Sequence, residues 1–193
     1  TIFNIHDGPI LDERKPRDKM VAAMYAIYGP TTTLVLTAKQ GTHEFVLDEA
    51  RNWVLKTEDI KMKDSGNIYS SGGLESNWMP KHREFTERLR GEGYKLRYSG
   101  ALVADMNQII MKRGGVFSYP STTKELNGKL RVLFELQPMA LLLENAGGRA
   151  TNGLDNILDV VPNGTDQRSP FYGGSKEEVG LAQGILGGEI YSK

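Results

Sequence analysis

The sequence predicts an α/β protein. A layered α/β domain with a mixed sheet occupies residues 67–193, and the remainder of a strand-rich α+β domain precedes it at 1–66. Three observations carry this. Strand-like and helix-like segments alternate through the second half, as they do when helices cover a sheet. The first sixty-odd residues are dominated by β-branched and alternating runs. A Gly/Ser-rich stretch, Asn67–Glu75, lies between the two regimes and sets the boundary near residue 66.

Taken in order, residues 1–6 read as a strand and 7–19 (DGPILDERKPRDK) as a polar loop. Residues 20–28 mix small and aromatic side chains and lead into a β-branched strand, Thr31–Thr37. Glu44–Asp48 and Trp53–Lys56 alternate across Glu49–Asn52, which predicts a hairpin. Asn67–Glu75 reads as a loop. Lys81–Arg90 is charged, with apolar residues at Phe85 and Leu89, the pattern of a surface helix. Leu102–Lys112 has helical spacing and stops at Gly114-Gly115. Val116–Tyr119 and Leu130–Leu136 read as strands, and Pro138–Asn145 as a helix with Pro in its first turn. Leu158–Val161 reads as a strand, Lys176–Gly184 as a helix, and 187–193 as a loose tail.

Composition excludes several classes of function. Lys+Arg and Asp+Glu both number 24, so there is no broad basic face for nucleic acid, although a local basic pocket remains possible. With no cysteine, the chain has no disulfide framework, thiolate nucleophile or Cys-based zinc site. No apolar run approaches the ~18 residues of a membrane span. His6, His43 and His82 are scattered without metal-pair or triad spacing, and Trp53 and Trp78 read as packing residues.

The stretch from Tyr119 to Arg149 concentrates chemistry. Asn127-Gly128 forms a turn, and Lys129 and Arg131 follow it, two apart and on one strand face. Glu135 then stands inside an apolar run, where a carboxylate is costly to bury without a cation or metal. By spacing alone Glu135 reads equally as an ion-paired structural acid or a metal ligand. Two cations on one strand face usually form a solvated face.

These residues resemble the carboxy-terminal part of class I fructose-1,6-bisphosphatase. The shared blocks there are Tyr119-Pro120, Asn127-Gly128-Lys129-Leu130-Arg131, Phe134-Glu135, Pro138-Met139-Ala140 and Ala146-Gly147-Gly148. Three more follow the family's order: 21–29 (VAAMYAIYG), Leu96-Arg97-Tyr98-Ser99-Gly100 with Val103-Ala104-Asp105, and 166–170 (DQRSP) with Gly174-Ser175. The resemblance implies a sugar phosphatase fold whose C-terminal domain is an α/β/α sandwich. It implies that Glu135 binds Mg2+ (or Mn2+ or Zn2+) as a catalytic metal ligand. Tyr98, Tyr119, Lys129 and Arg131 would bind the sugar and its 6-phosphate, converging in one pocket. Arg97 would reach into a neighbouring subunit's site, which requires a homo-oligomer, a dimer or tetramer.

The family's Asp-Pro-x-Asp-Gly-Ser-Ser metal signature does not occur in this chain and would lie before Thr1. The chain is therefore expected to be the carboxy-terminal portion of a longer enzyme, inactive in isolation. The family's Asn and Tyr that touch the 6-phosphate match Gly72 and Glu75. Asp7 stands where animal enzymes use an Arg for AMP, so AMP inhibition of that kind is not expected. A redox switch based on a Cys-bearing insertion at 7–19 is also not expected. The implied reaction is metal-dependent hydrolysis of the 1-phosphate of fructose 1,6-bisphosphate in the cytoplasm, with no nucleic-acid or membrane partner. The alternatives are a sedoheptulose-1,7-bisphosphatase, an enzyme acting on both sugars, and a non-catalytic sugar-phosphate-binding module.

Overall fold

The computed structural model describes residues 1–38 and 40–187. Five strands form an antiparallel sheet in chain order: β1 (Ile2–His6), β2 (Met20–Ile27), β3 (Thr33–Ala38), β4 (His43–Leu47) and β5 (Trp53–Thr57). The expected hairpin is β4–β5, with Leu47 opposite Trp53. Its turn holds Arg51 at φ 66° and is tied by the Asn52 N–H donating to Asp48 Oδ1 at 2.7 Å. The loop between β1 and β2 contains a short helix, α1 (Pro16–Lys19). It buries the Lys19 ammonium, which donates to Ile10 O and to Asp12 Oδ1, both at 2.9 Å.

A second, mixed sheet follows. Its parallel part pairs β6 (Ile68–Ser71) with β7 (Lys95–Leu96) and β8 (Val116–Tyr119). Its antiparallel part adds β12 (Phe171–Gly174) and β10 (Arg149–Thr151). A two-stranded ribbon pairs β9 (Leu130–Arg131) with β11 (Arg168–Ser169). Helices α3 (Leu102–Met111) and α4 (Gln137–Asn145) lie between the two sheets. Helices α2 (Pro80–Gly91) and α5 (Lys176–Gly187) cover the outer face of the second sheet.

Pleat alternation divides the second sheet between two cores. Phe117 and Phe171 point inward to α3 and α4. Their neighbours Val116 and Tyr172 point outward to Phe85 and Leu89 of α2 and to Val179 and Ala182 of α5. Helix α4 is apolar nearly all round, and Met139, Ala140, Leu142 and Leu143 are fully buried, as a helix held between two sheets must be. Side chains stitch it to the first sheet: Asn145 donates to Thr37 Oγ1 at 2.7 Å, and Thr42 donates to Leu142 O at 2.8 Å.

Four expectations need correction or completion. Asn67–Glu75 is not all loop, because β6 is an interior strand with all four residues buried. Its serines are satisfied inside the protein: Ser70 donates to Arg97 O, and Ser71 Oγ is hydrogen-bonded to His82. Leu130–Leu136 is not one strand. Pairing ends at Arg131, and Val132–Leu136 forms a widened helical turn leading into α4. Pro138 explains this, since it has no N–H to offer Phe134 O and its ring crowds that carbonyl. Leu158–Val161 is not a strand; Ile157–Asp159 is a single helical turn that buries Ile157 and Leu158. Strands β7, β10, β11 and β12 were not anticipated. Beyond Gly187, the expected loose tail lies outside the described residues.

One backbone crossing is possible only with glycine. A Cβ on Gly66 would stand 2.1 Å from the Gly115 nitrogen, where the lead-in to β6 passes the lead-in to β8. The pair Gly114-Gly115 therefore packs as well as ending α3.

His82 is 1% exposed on the inner side of α2, and burial pushes its pKa from 6.5 down to about 3. Between those values the unfolded chain binds the extra proton and the folded chain does not, so stability falls as pH drops. The contribution is complete above pH ~6.5 and is lost progressively toward pH ~3, a span on the order of 4–5 kcal/mol. Urea midpoints measured from pH 7 to pH 4 should fall more steeply for the native protein than for His82→Gln. Parallel pH slopes would show that His82 is not held neutral.

Candidate functional site

A cavity of about 250 Å3 opens where the end of β8, the loop after β7 and the start of β9 meet. Phe117, Leu102 and Leu130 line its apolar side, and Tyr98, Tyr119, Lys129 and Glu135 line its polar side. Four of the six site residues expected from sequence therefore share one cavity. Arg131 does not line it, although it adjoins it through Glu135. Arg97 does not line it either; it borders a second cavity with Asp105 and Gln108, adjoining the first through Tyr98.

Lys129 is placed by a turn. The Gly128 N–H donates to Glu125 O at 3.0 Å, and Gly128 has φ 73° with its Cα pressed against Ser169 and Pro170. Any side chain there would collide with that backbone, so the Asn127-Gly128 turn and the β11 segment specify one another. Arg131 sits opposite Arg168, and Val132 N–H donates to Gln167 O at 2.8 Å. Arg168 in turn donates to Lys129 O, fixing the backbone from which the Lys129 ammonium projects. That ammonium lies 6.0 Å from the centre of the Tyr119 ring.

The widened turn places Glu135. Its Oε2 accepts the Arg131 backbone N–H at 2.8 Å and the Arg131 Nε at 3.4 Å. The carboxylate thus caps the first free N–H of the turn beside a guanidinium. Oε1 has no hydrogen-bond partner among the described residues. The Arg131 guanidinium also stacks over Phe134, 5.3 Å from its ring centre.

Tyr98 is 43% exposed at the cavity mouth. Burial of its hydroxyl raises its pKa, and Tyr119 nearby adds to this, while the Gly73 N–H opposes it. The loop carrying Tyr98 is anchored by the Ser99 N–H donating to Asp105 Oδ1 at 2.8 Å. Arg97 is exposed, and its guanidinium donates to Leu96 O at 2.9 Å.

Glu75 begins a single helical turn, is exposed, and faces Arg90 at 3.8 Å. It is not among the cavity-lining residues, so its charge does not oppose an anion there. Gly72 is different: a Cβ on it would stand 2.3 Å from the Tyr119 ring. The phenol therefore lies against bare backbone. Sequence reasoning did not find this contact, nor the roles of Arg168 and Asp105. A glycine and an acid far apart in sequence give no periodic signal. Arg168 was visible only as part of a family block.

Among the described residues no three His, Cys, Asp or Glu side chains converge on a metal site. Glu135 with its free oxygen fits a single ligand position. A hard divalent cation needs several oxygens around it, so the described residues hold at most one part of such a site.

The family profile described as fructose-1-6-bisphosphatase, C-terminal domain, matches residues 62–186, and the corresponding N-terminal domain profile matches 1–58. The chain is 46% identical over 188 residues to the class 1 fructose-1,6-bisphosphatase of Geobacter sulfurreducens, covering 97% of this chain and 59% of that protein. It is 47% identical to the class 1 enzyme of Trichlorobacter lovleyi over the same shares of the two chains. The crystal structure of Leishmania major fructose-1,6-bisphosphatase in its T-state superposes with a TM-score of 0.84 at 36% identity, over 90% of this chain and 55% of that one. The chain spans 52–59% of the length of the curated relatives it matches. With two adjoining profiles accounting for nearly all of its residues, the chain belongs to the class 1 fructose-1,6-bisphosphatase family.

Proposed function

We propose that this chain is the sugar-phosphate-binding portion of an enzyme that hydrolyses fructose 1,6-bisphosphate to fructose 6-phosphate and phosphate. The observation that carries this is the cavity in which two phenols, an ammonium and a carboxylate meet on family-matched segments. The 6-phosphate lies among Tyr98, Tyr119 and Lys129. The phenol hydroxyls donate to a phosphate dianion, and the ammonium supplies a mobile positive charge. These groups hold the far end of the sugar while the 1-phosphate reacts. Water adds to that phosphorus, the P–O bond to the sugar breaks, and the departing sugar oxygen takes a proton.

Glu135 stands toward the reacting end. A divalent cation bound there would polarise the 1-phosphate and lower the pKa of the attacking water. Glu135 would supply one oxygen to it, and Arg131, bonded to the other oxygen, orients the carboxylate. The remaining ligands come from outside this chain. The N-terminal phosphatase portion extends to about residue 66 and the sugar-phosphate domain begins at 67. The enzyme works in the cytoplasm as a homo-oligomer, with Arg97 reaching a neighbouring site. No described helix is long and apolar enough to cross a membrane.

Three variants of the complete enzyme test this reading. Lys129→Ala should raise KM by roughly 10- to 150-fold, the equivalent of about 1.5–3 kcal/mol for a lost bond to a charged group. An unchanged KM in a phosphate-release assay would remove Lys129 from the site. Glu135→Gln should lower kcat by orders of magnitude across a magnesium titration while KM moves little, because the charge at the reacting end changes and the 6-phosphate cradle does not. Normal turnover with normal magnesium dependence would make Glu135 a structural acid. Running the same assay on sedoheptulose 1,7-bisphosphate separates the two sugars. Arg97→Ala should leave Tm unchanged, since its side chain is exposed, yet raise KM. A fully active monomer by light scattering would refute its cross-subunit role.

A further inference from the structure

Behind the cavity wall runs a buried polar chain that the proposed reaction does not use. His82, on α2, brings one ring nitrogen to 2.7 Å from Ser71 Oγ and the other to 3.0 Å from the Tyr172 hydroxyl. Ser118 Oγ lies 3.2 Å from Ser71 Oγ and thereby links β8 to the same chain. Ser71, His82, Ser118 and Tyr172 are all buried, with exposures of 1–5%. Either imidazole tautomer satisfies both ring nitrogens. With one, Ser71 donates and Tyr172 accepts; with the other, the roles reverse.

This chain ends at the cavity. Ser71 is followed by Gly72, whose backbone is gripped on both sides: its N–H donates to Ser118 O at 2.9 Å, and its carbonyl accepts the Trp78 indole N–H at 2.8 Å. The Trp78 ring stands edge-on to the His82 ring, with centres 4.7 Å apart. The Tyr119 ring rests on this backbone, with no room for a side chain between them. The location of Tyr119 thus depends on Gly72, and Gly72 is held by the Trp78 indole, which packs on His82, and directly follows Ser71, whose hydroxyl is bonded to His82.

We propose that His82 is a positioning residue: bonded to Ser71 and Tyr172 and packed against Trp78, it holds the Gly72 backbone and so sets where the Tyr119 hydroxyl meets a phosphate monoester. The functional half of this inference rests on reading the cavity as an anion site. The structural half does not. A purely apolar residue at 82 would fill the space but leave the buried Tyr172 hydroxyl unpaired and Ser71 Oγ with Ser118 alone, and the strand end would shift to find partners for them.

The test uses the complete protein with 13C-labelled tyrosine, assigning the Tyr119 ring signals by their loss in Tyr119→Phe. His82→Ala should move those signals and weaken fructose 6-phosphate binding, by calorimetry, roughly tenfold, the scale of one lost hydrogen-bonded contact. His82→Gln, which keeps a partner for Ser71, should stay within about threefold of the native affinity. Leu89→Ala empties the same apolar cluster further along α2, and should lower Tm without moving Tyr119 or changing affinity. Should His82→Ala not fold, Tyr172→Phe removes one bond of the chain with little change of shape and takes its place with the same expectations. Tyr119 signals at their native positions in the folded His82 or Tyr172 variant would overturn the proposal. So would a Leu89→Ala variant that reproduced both changes. If the native protein bound no fructose 6-phosphate, the anion-site reading would fail, and the Tyr119 signals alone would decide whether His82 positions that ring.

Discussion

Helix α4 is the constraint on which the rest of the structure depends. It is buried between two sheets, so its apolar surface needs partners on both sides and every polar group near it must be satisfied internally. The first sheet meets it through Thr37 and Thr42, and the second through the inward faces of β10 and β12. Its entrance cannot be an ordinary helical turn, because Pro138 withholds an N–H there. The chain responds with the wider turn Val132–Leu136, in which Leu133 and Leu136 are buried while Glu135 is left at the cavity. The position of the one candidate metal ligand is thus a consequence of how the central helix is packed.

The second dependence is electrostatic and local. The chain has no net charge, yet the cavity gathers a lysine, two phenols and a carboxylate whose second oxygen already has an arginine beside it. Opposite charges are kept useful by separation. Lys129, just before β9, lies with Tyr119, while Glu135, one helical turn beyond Arg131, pairs with that arginine. Glu75, which would have weakened anion binding inside the cavity, is turned out to Arg90. Rigid support comes from groups that never touch the cavity: Arg168 under Lys129, Asp105 under the Tyr98 loop, and His82 behind Gly72.

Much of this was legible in the amino-acid order. The helices α2, α3, α4 and α5 announced themselves through apolar spacing, glycine stops and a proline start. The β4–β5 hairpin was legible because alternation persists on both sides of a polar turn. The misreadings share a physical cause. Ile68–Ser71 looked like a loop because serine and glycine favour turns locally, but Arg97 O takes the Ser70 hydroxyl, and His82 of α2 and Ser118 of β8 meet that of Ser71. Val132–Leu136 looked like a strand because its apolar run fits either period, and short apolar runs do not distinguish strand from buried helix. Strands β10 and β11 are too short to carry a pattern at all.

The sequence by itself determined the alternation of strand and helix, the neutral and cysteine-free chemistry, and, through ordered blocks, the family and the residue types of the site. Those are properties of residue identity and spacing, which are carried along the chain. Only the tertiary structure determined that Tyr98, Tyr119, Lys129 and Glu135 share a cavity while Arg97 faces elsewhere, that Glu75 is turned away, and that Gly72 is the surface on which Tyr119 rests. Each of these depends on contacts between segments tens of residues apart. No local preference encodes such a contact, because its free energy exists only once the two sheets have closed on α3 and α4.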